Sequence, residues 1–121
     1  SIQQEVAALL TVADEEQIPL TRIASVLSEK ISDMLEIVGR GKIQTGYKAD
    51  LIIIDPKKEF TVGGSDEGNA GLAYKCGWSP YEGCRLKGMV EDVYLNGTLT
   101  VQDGHLITET AAGQKLEFRN R

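Results

Sequence analysis

The side chains that could bind a metal or act as nucleophiles are few in this sequence. His105 is the only histidine, and Cys76 and Cys84 are the only cysteines. The cysteine spacing matches no zinc ligand pair, and two cysteines with one histidine need carboxylates to complete a four-ligand site. We therefore expect two reduced thiols. His105 lies next to a predicted hairpin turn, and we expect it to be a surface residue.

Two other stretches could be given a functional interpretation. The acidic run 14–16 could supply carboxylates to a metal, but adjacent helical side chains do not share a direction, so a solvated helix end is expected. Residues 39–46 are rich in glycine but lack the Gly-x-x-x-x-Gly-Lys-Ser/Thr order. They also lead into a predicted strand, whereas a phosphate loop leads into a helix. Both stretches are predicted to be structural.

The elements that must position these side chains are organised around residues 51–54, Leu-Ile-Ile-Ile. A continuous apolar run predicts a strand that is covered on both faces. Pro56 has no N–H for the ladder and is expected to end the strand. The residues before this strand favour helices, and the residues after it favour strands and loops.

The N-terminal residues have the spacing of amphipathic helices. Residues 1–17 are predicted to be a helix, and residues 32–37 a further helical piece that Gly39 stops. Thr21 is a plausible N-cap for a helix beginning at Arg22. The predicted inward residues of the three pieces are Ile2, Val6, Leu9, Leu10 and Ala13, then Ile23, Val26 and Leu27, then Met34, Leu35 and Ile37.

The C-terminal residues have the signals of hairpins. Asn96-Gly97 separates two alternating runs, which predicts a type I′ turn because that turn needs positive φ at both central residues. Asp103-Gly104 repeats the device. Residues 57–62 and 113–118 are predicted to be further short strands.

Composition excludes several classes of function. The net charge is −5 and the pI is about 4.9, which argues against a nucleic-acid or anionic-membrane surface. No apolar run approaches the roughly 20 residues of a membrane span. The start lacks the features of a secretory signal, so a cytoplasmic protein is expected. The 121 residues begin without methionine, directly in an amphipathic pattern, so we expect a piece of a longer protein.

Three stretches form a recognisable set. Residues 41–56 contain Gly-x-Ile-x-x-Gly-x-x-Ala-Asp-Leu. Residues 78–83 read Trp-Ser-Pro-Tyr-Glu-Gly, followed by Leu-x-Gly-x-Val at 86–90. Residues 93–97 and the later Asp-Gly pair complete the set. Together they resemble the C-terminal end of a dihydroorotase of the amidohydrolase superfamily. The first pattern is shared across that superfamily, and allantoinases and hydantoinases have relatives of the second.

The resemblance implies an α+β chain. Residues 1–38 would be the last helices of the amidohydrolase TIM barrel, and residues 39–121 part of the accessory β-sandwich. The family's metal-binding histidines, bridging lysine and catalytic aspartate would all lie upstream of Ser1. We therefore assign no catalytic, substrate-binding or metal residue and no cofactor to this chain, and expect zinc in the full-length parent. The expected partners are the rest of the barrel and, through exposed helix faces and strand edges, further copies of the chain.

The leading hypothesis is thus a scaffold fragment of a dihydroorotase, the zinc-dependent enzyme that interconverts N-carbamoyl-L-aspartate and dihydroorotate in pyrimidine synthesis. A fragment of an allantoinase or hydantoinase, and a non-catalytic dihydroorotase-like assembly partner, are the alternatives. One departure concerns residues 30–32, Lys-Ile-Ser, where the family usually has Asn-Pro-Ala. The missing proline predicts a softer break between the helices.

Overall fold

The computed structural model describes residues 3–64, 74–108 and 113–119, and it is an α+β arrangement, as predicted. Its helical elements are α1 (Glu5–Glu15), α2 (Leu20–Ala24), a π-helical segment (Ser25–Glu29) and α3 (Lys30–Met34). Its strands are β1 (Leu51–Thr61), β2 (Arg85–Leu95), β3 (Thr98–Gln102) and β4 (His105–Leu106). The strands form one antiparallel sheet in the order β1-β2-β3-β4, so each strand pairs with the next in sequence.

Helix α1 packs against β2 with a narrower face than predicted. Ala7, Leu10 and Ala13 are buried, whereas Val6 and Leu9 are only half-buried. The predicted Ile2 lies outside the described residues. Two of the three buried side chains are methyl groups, which lets the helix backbone lie close to the strand.

The second helical region differs from its prediction at both ends. Its N-cap is Pro19, so Thr21 lies inside the helix and caps nothing. Proline fixes φ near −65°, and here φ is −59° with an extended ψ, a geometry that turns the chain into the helix. The predicted piece 32–37 is also wrong, because α3 ends at Met34 and Glu36 has a φ of +56°. Met34, expected to be inward, is 74% exposed.

The region that lacks the family's proline continues as helix without a break, since α2, the π-helical segment and α3 are contiguous from residue 20 to 34. The Ser28 hydroxyl donates to Ala24 O at 2.5 Å, the back-bonding that tends to bend a helix. Gly41 then passes so close that a Cβ there would lie 2.5 Å from Ser32 Cβ. The glycine-rich segment therefore packs against this helix, and it forms turns and no strand.

The central strand was predicted correctly in place but wrongly in environment and length. β1 is the edge of the described sheet, and Ile52 and Ile53 are 49% and 46% exposed. Pro56 does not end it, because the strand continues to Thr61 and joins the predicted strand 57–62 to it. The pairing with β2 shifts between Asp55 and Glu59, and proline is tolerated where an edge strand is irregular.

The hairpin predictions are confirmed. Asn96 and Gly97 have φ of +51° and +81°, and Asp103 and Gly104 have φ of +50° and +76°, as type I′ turns require. The predicted last strand, 113–118, is instead a single bridge between Phe118 and Ile37. The buried apolar core lies where α1 meets β1 and β2 and contains Ala7, Phe60, Val62, Leu86 and Met89.

Candidate functional site

At the start of α1, Gln4, Tyr74 and Ser79 form a polar cluster, and Ser79 belongs to the Trp-Ser-Pro-Tyr-Glu-Gly motif. Gln4 and Ser79 are 1% and 3% exposed. The Tyr74 hydroxyl donates to Gln4 Oε1 at 2.9 Å, and the Ser79 hydroxyl donates to the same oxygen at 3.4 Å. Tyr74 Oη also accepts from the Gln3 N–H at 2.8 Å. The cluster thus fastens the Ser-Pro-Tyr-Glu-Gly loop to the helix start.

Ser79 has the position of a motif residue but not the surroundings of a nucleophile. Its Oγ contacts Gln4 Oε1, an amide oxygen, and accepts from the Tyr81 N–H at 3.2 Å. Neither partner is a base that could take its proton, as activated serine requires. The hydroxyl therefore satisfies buried polar groups, which would otherwise be costly.

The Leu-x-Gly-x-Val motif positions α1 on the sheet. Gly88 has a φ of +92°, and a Cβ there would lie 2.5 Å from Leu10 Cδ1 and 2.9 Å from Leu10 Cβ. One residue away, Thr11 Oγ1 accepts from the Lys87 N–H at 2.8 Å and donates to Ala7 O at 2.7 Å. The motif glycine is needed because the helix side chain occupies the space of its missing Cβ.

The same strand position also has an ion pair. Lys87 Nζ lies 2.5 Å from Asp14 Oδ2, and this hydrogen bond raises the pKa of Lys87 above 10.5. A comparable arrangement raises the pKa of Lys42 through Glu29 and Asp33. The predicted acidic helix end is therefore exposed, and one of its carboxylates helps to hold α1 on β2.

A second motif contact is the Arg40 clasp, formed by Arg40, Asp50 and Asn96. Arg40 forms an ion pair with Asp50 and donates from Nη2 to Asn96 Oδ1 at 2.8 Å. The Asn96 N–H donates to Asp50 Oδ1 at 2.8 Å, and the Gly97 N–H donates to Ala49 O at 2.9 Å. The Ala-Asp-Leu motif and the hairpin motif are therefore one structural unit.

The residues considered first for chemistry do not come together. His105 is exposed in β4, with Nδ1 2.7 Å from Asp103 O. Cys76 and Cys84 are exposed free thiols, as predicted. Trp78 is 58% exposed, whereas Tyr81 packs against the core.

The zinc expected in the parent can be tested against these side chains. Across residues 3–64, 74–108 and 113–119, no three His, Cys, Asp or Glu side chains are grouped as metal ligands. The described residues therefore do not fit a zinc site. Nor does any helix in those ranges combine the length and apolar character of a membrane crossing.

Neither the clasp nor the polar cluster was predicted from the sequence. A signal for the clasp was present in the sequence. Asp50 directly precedes the apolar run of β1, and Asn96 lies in the turn that directly follows β2, the strand paired with β1. No comparable signal marks Gln4, a polar residue outside the predicted inward stripe of the first helix.

No protein-family model matches the chain. Two curated relatives are the allantoinase of Desulfitobacterium hafniense strain Y51, 34% identical over 108 residues, and the dihydroorotase of Thermococcus kodakarensis, 33% identical over 118 residues. These matches cover 88% and 98% of this chain but 23% and 27% of the relatives. The chain thus spans about a quarter of the length of the curated relatives it matches.

Solved structures agree on the fold. The D-hydantoinase (dihydropyrimidinase) from Thermus sp. matches with a TM-score of 0.72 at 24% identity, covering 90% of this chain and 23% of that one. A second D-hydantoinase structure matches with a TM-score of 0.69 at 23% identity. The family resemblance of the three motifs is confirmed by the curated relatives. The chain belongs to the amidohydrolase superfamily, in the group that includes allantoinases, dihydroorotases and hydantoinases.

Proposed function

We propose that this chain is the C-terminal scaffold of a cyclic amide hydrolase, and that the parent protein interconverts N-carbamoyl-L-aspartate and dihydroorotate. The observation behind the scaffold role is that the described motif residues are used for packing and hydrogen bonding. Gly88 receives α1, Ser79 belongs to the polar cluster, and Asp50 belongs to the Arg40 clasp. A segment whose motif residues stabilise its own fold has a structural role in the whole protein.

The proposed position of the chain within the parent protein follows from the location of its exposed apolar side chains. We infer that residues 1–38 are the last helices of a TIM barrel and that residues 39–121 are part of an accessory β-sandwich. No residue of α2 or of the π-helical segment is buried. The exposed apolar side chains of this helical region include Leu20, Val26, Ile31, Met34 and Leu35. Such a surface promotes association, so its proposed partner is the rest of the barrel, or further copies of the chain when that is missing.

The zinc of the proposed reaction is assigned to the remainder of the parent, because the described residues do not fit it. We propose a cytoplasmic location, where the two free thiols of this chain would stay reduced.

Dihydroorotase is proposed first because Trp78 and Ser79 precede the Pro-Tyr-Glu-Gly sequence, as in the motif that suggested that enzyme. Allantoinase is the second candidate, favoured by the 34% identity to the Desulfitobacterium hafniense protein. The test is to assay the purified parent on dihydroorotate and on allantoin at matched concentrations. A preference for dihydroorotate supports the first proposal, and a preference for allantoin replaces it with the second.

The scaffold role is tested separately. We expect the isolated chain to hold no stoichiometric zinc by elemental analysis, to hydrolyse neither substrate, and to self-associate in sedimentation at micromolar concentration. Tightly bound zinc or turnover by the isolated chain would contradict the scaffold role, and a monodisperse monomer would contradict the proposed association.

A further inference from the structure

The Asn96-Gly97 pair has a chemical reactivity that its role in the turn does not require. We propose that Asn96 is a deamidation site which the Arg40 clasp keeps unreactive. In this reaction the Gly97 backbone nitrogen loses its proton and attacks Asn96 Cγ. The new N–Cγ bond forms, the Cγ–Nδ2 bond breaks, and ammonia leaves with the proton. Water then opens the succinimide to aspartate or isoaspartate. Glycine allows this attack because it has no side chain beside the nitrogen.

The nucleophile is restrained in the folded chain. The Gly97 N–H donates to Ala49 O at 2.9 Å, so the nitrogen must release a backbone hydrogen bond before it can lose its proton. Both turn residues hold positive φ, a conformation that the hairpin fixes from both sides. The attack therefore needs the turn to separate from the segment before β1.

The electrophile is restrained as well. Arg40 Nη2 donates to Asn96 Oδ1 at 2.8 Å, and the Arg40 side chain is only 12% exposed and is ion-paired to Asp50. Asp50 also accepts the Asn96 N–H. A guanidinium can polarise an amide carbonyl, but polarisation accelerates attack only when the nitrogen can approach. Here the same clasp holds the side chain and the backbone in place.

The product would not be neutral to the fold. Isoaspartate adds one methylene to the backbone of the turn that sets the pairing of Leu95 with Thr98. Either product also adds a carboxylate to the turn beside Asp50, where the asparagine amide was neutral. Deamidated product would therefore accumulate whenever the clasp is open, and the change would be irreversible.

The second hairpin turn supplies an internal reference. Asp103 and Gly104 have nearly the same φ values as the first turn, and the Gly104 N–H donates to Glu91 O at 2.8 Å. The Arg40 side chain contacts the first of these two turns, through Asn96. An Asp103→Asn variant thus has two Asn-Gly turns with similar backbone restraint, of which one has the arginine.

The experiment follows both sites in one peptide, because trypsin cleavage after Lys87 and Lys115 releases residues 88–115 intact. The intact Asp103→Asn chain is incubated at mildly alkaline pH with and without urea, and deamidation is located by fragment mass spectrometry. In urea the two sites should react at similar rates. In native buffer position 96 should react more slowly than position 103 by about tenfold, the factor that one net hydrogen bond supplies.

Arg40→Met in the same background should raise the rate at position 96 and leave position 103 unchanged. Native rates that are equal at the two positions would overturn the proposal. A slower reaction in Arg40→Met would also overturn it, since the arginine would then be an activator. A parallel rise at both positions would mean that the variant opens the whole fold, and that the arginine has no specific protective role.

Discussion

Replacing Gly88 by alanine tests the docking of α1 on β2 more directly than any other single change. The added Cβ would lie 2.5 Å from Leu10 Cδ1 and 2.9 Å from Leu10 Cβ. The Cδ1 atom can move by a side-chain rotation, but the Cβ atom moves only with the helix backbone. Gly88→Ala therefore requires α1 to shift away from the strand.

The expected cost has three parts. Placing an L side chain at positive φ costs about 1–2 kcal/mol. Forcing an extra carbon into the contact costs about 1–3 kcal/mol. Restricting the unfolded chain returns about 0.4–1 kcal/mol. The free energy of unfolding should thus fall by about 1–5 kcal/mol, against the roughly 5–15 kcal/mol of a typical domain.

Urea unfolding followed by circular dichroism measures this change, with Gly46→Ala as the matched control. Gly46 has a φ of +87°, close to that of Gly88, and a Cβ there would meet nothing within 4 Å. The two variants share the backbone term, so Gly88→Ala should be worse by the contact term alone, about 1–3 kcal/mol. Leu10→Ala combined with Gly88→Ala should cost less than the sum of the two single changes. Equal destabilisation by the two glycine variants would refute the docking described for α1.

Three further predictions concern the polar contacts. Asp50→Asn should lower the free energy of unfolding by about 1–3 kcal/mol in urea melts, because Arg40 loses its ion pair. Gln4→Leu should lower the thermal midpoint, since the Tyr74 and Ser79 hydroxyls lose their shared acceptor, at a cost of about 1–3 kcal/mol. The pKa of Lys87 is raised in the fold by Asp14, so the stability from that pair is complete below pH 10.5 and lost as the pH rises through the raised value. The difference in thermal midpoint between the native chain and Lys87→Met should therefore shrink above pH 10.5.

Matched controls distinguish these effects from general damage. Asp33→Asn removes an exposed carboxylate that pairs with Lys42, and it should change stability less than Asp50→Asn, because its side chain is 62% exposed against 29% for Asp50. A loss as large as that of Asp50→Asn would show that the Arg40 clasp has no special weight. A Lys87→Met difference that stays constant with pH would contradict the role of the ion pair.

Local signals predicted the hairpins because they depend on few residues. Asn96-Gly97 and Asp103-Gly104 adopt the left-handed conformation that their turn type requires, whatever packs around them. The environment of β1 could not be predicted in this way. Four apolar residues in a row indicate burial on both faces, yet Ile52 and Ile53 are exposed at the sheet edge. An apolar run indicates that a strand is buried, but it does not show whether the residues that bury it belong to the same chain.

The contacts within the motifs were also beyond local reasoning. The sequence shows Gly88 only as part of a motif. Glycine is required there because of Leu10, a helix residue 78 positions earlier whose side chain occupies the space of a Cβ. Thr21 illustrates the opposite error, because a good capping residue was outweighed by Pro19 two positions before it. Residue type predicted what each position could do, and contacts distant in sequence decided what it does.

The neighbour-to-neighbour order of the strands has a consequence for how the chain folds. β2, β3 and β4 are joined by two-residue turns, so their pairing closes only short loops and should be among the fastest events. Helix α1 instead waits for β2, because the hydrogen bond between Thr11 and Lys87 spans 76 positions. During synthesis the helix leaves the ribosome long before its strand. The apolar face of α1 is then exposed to solvent until the hairpin strands have been made. The docking of α1 on β2 is therefore the slow step, and the chain is most open to aggregation before it occurs.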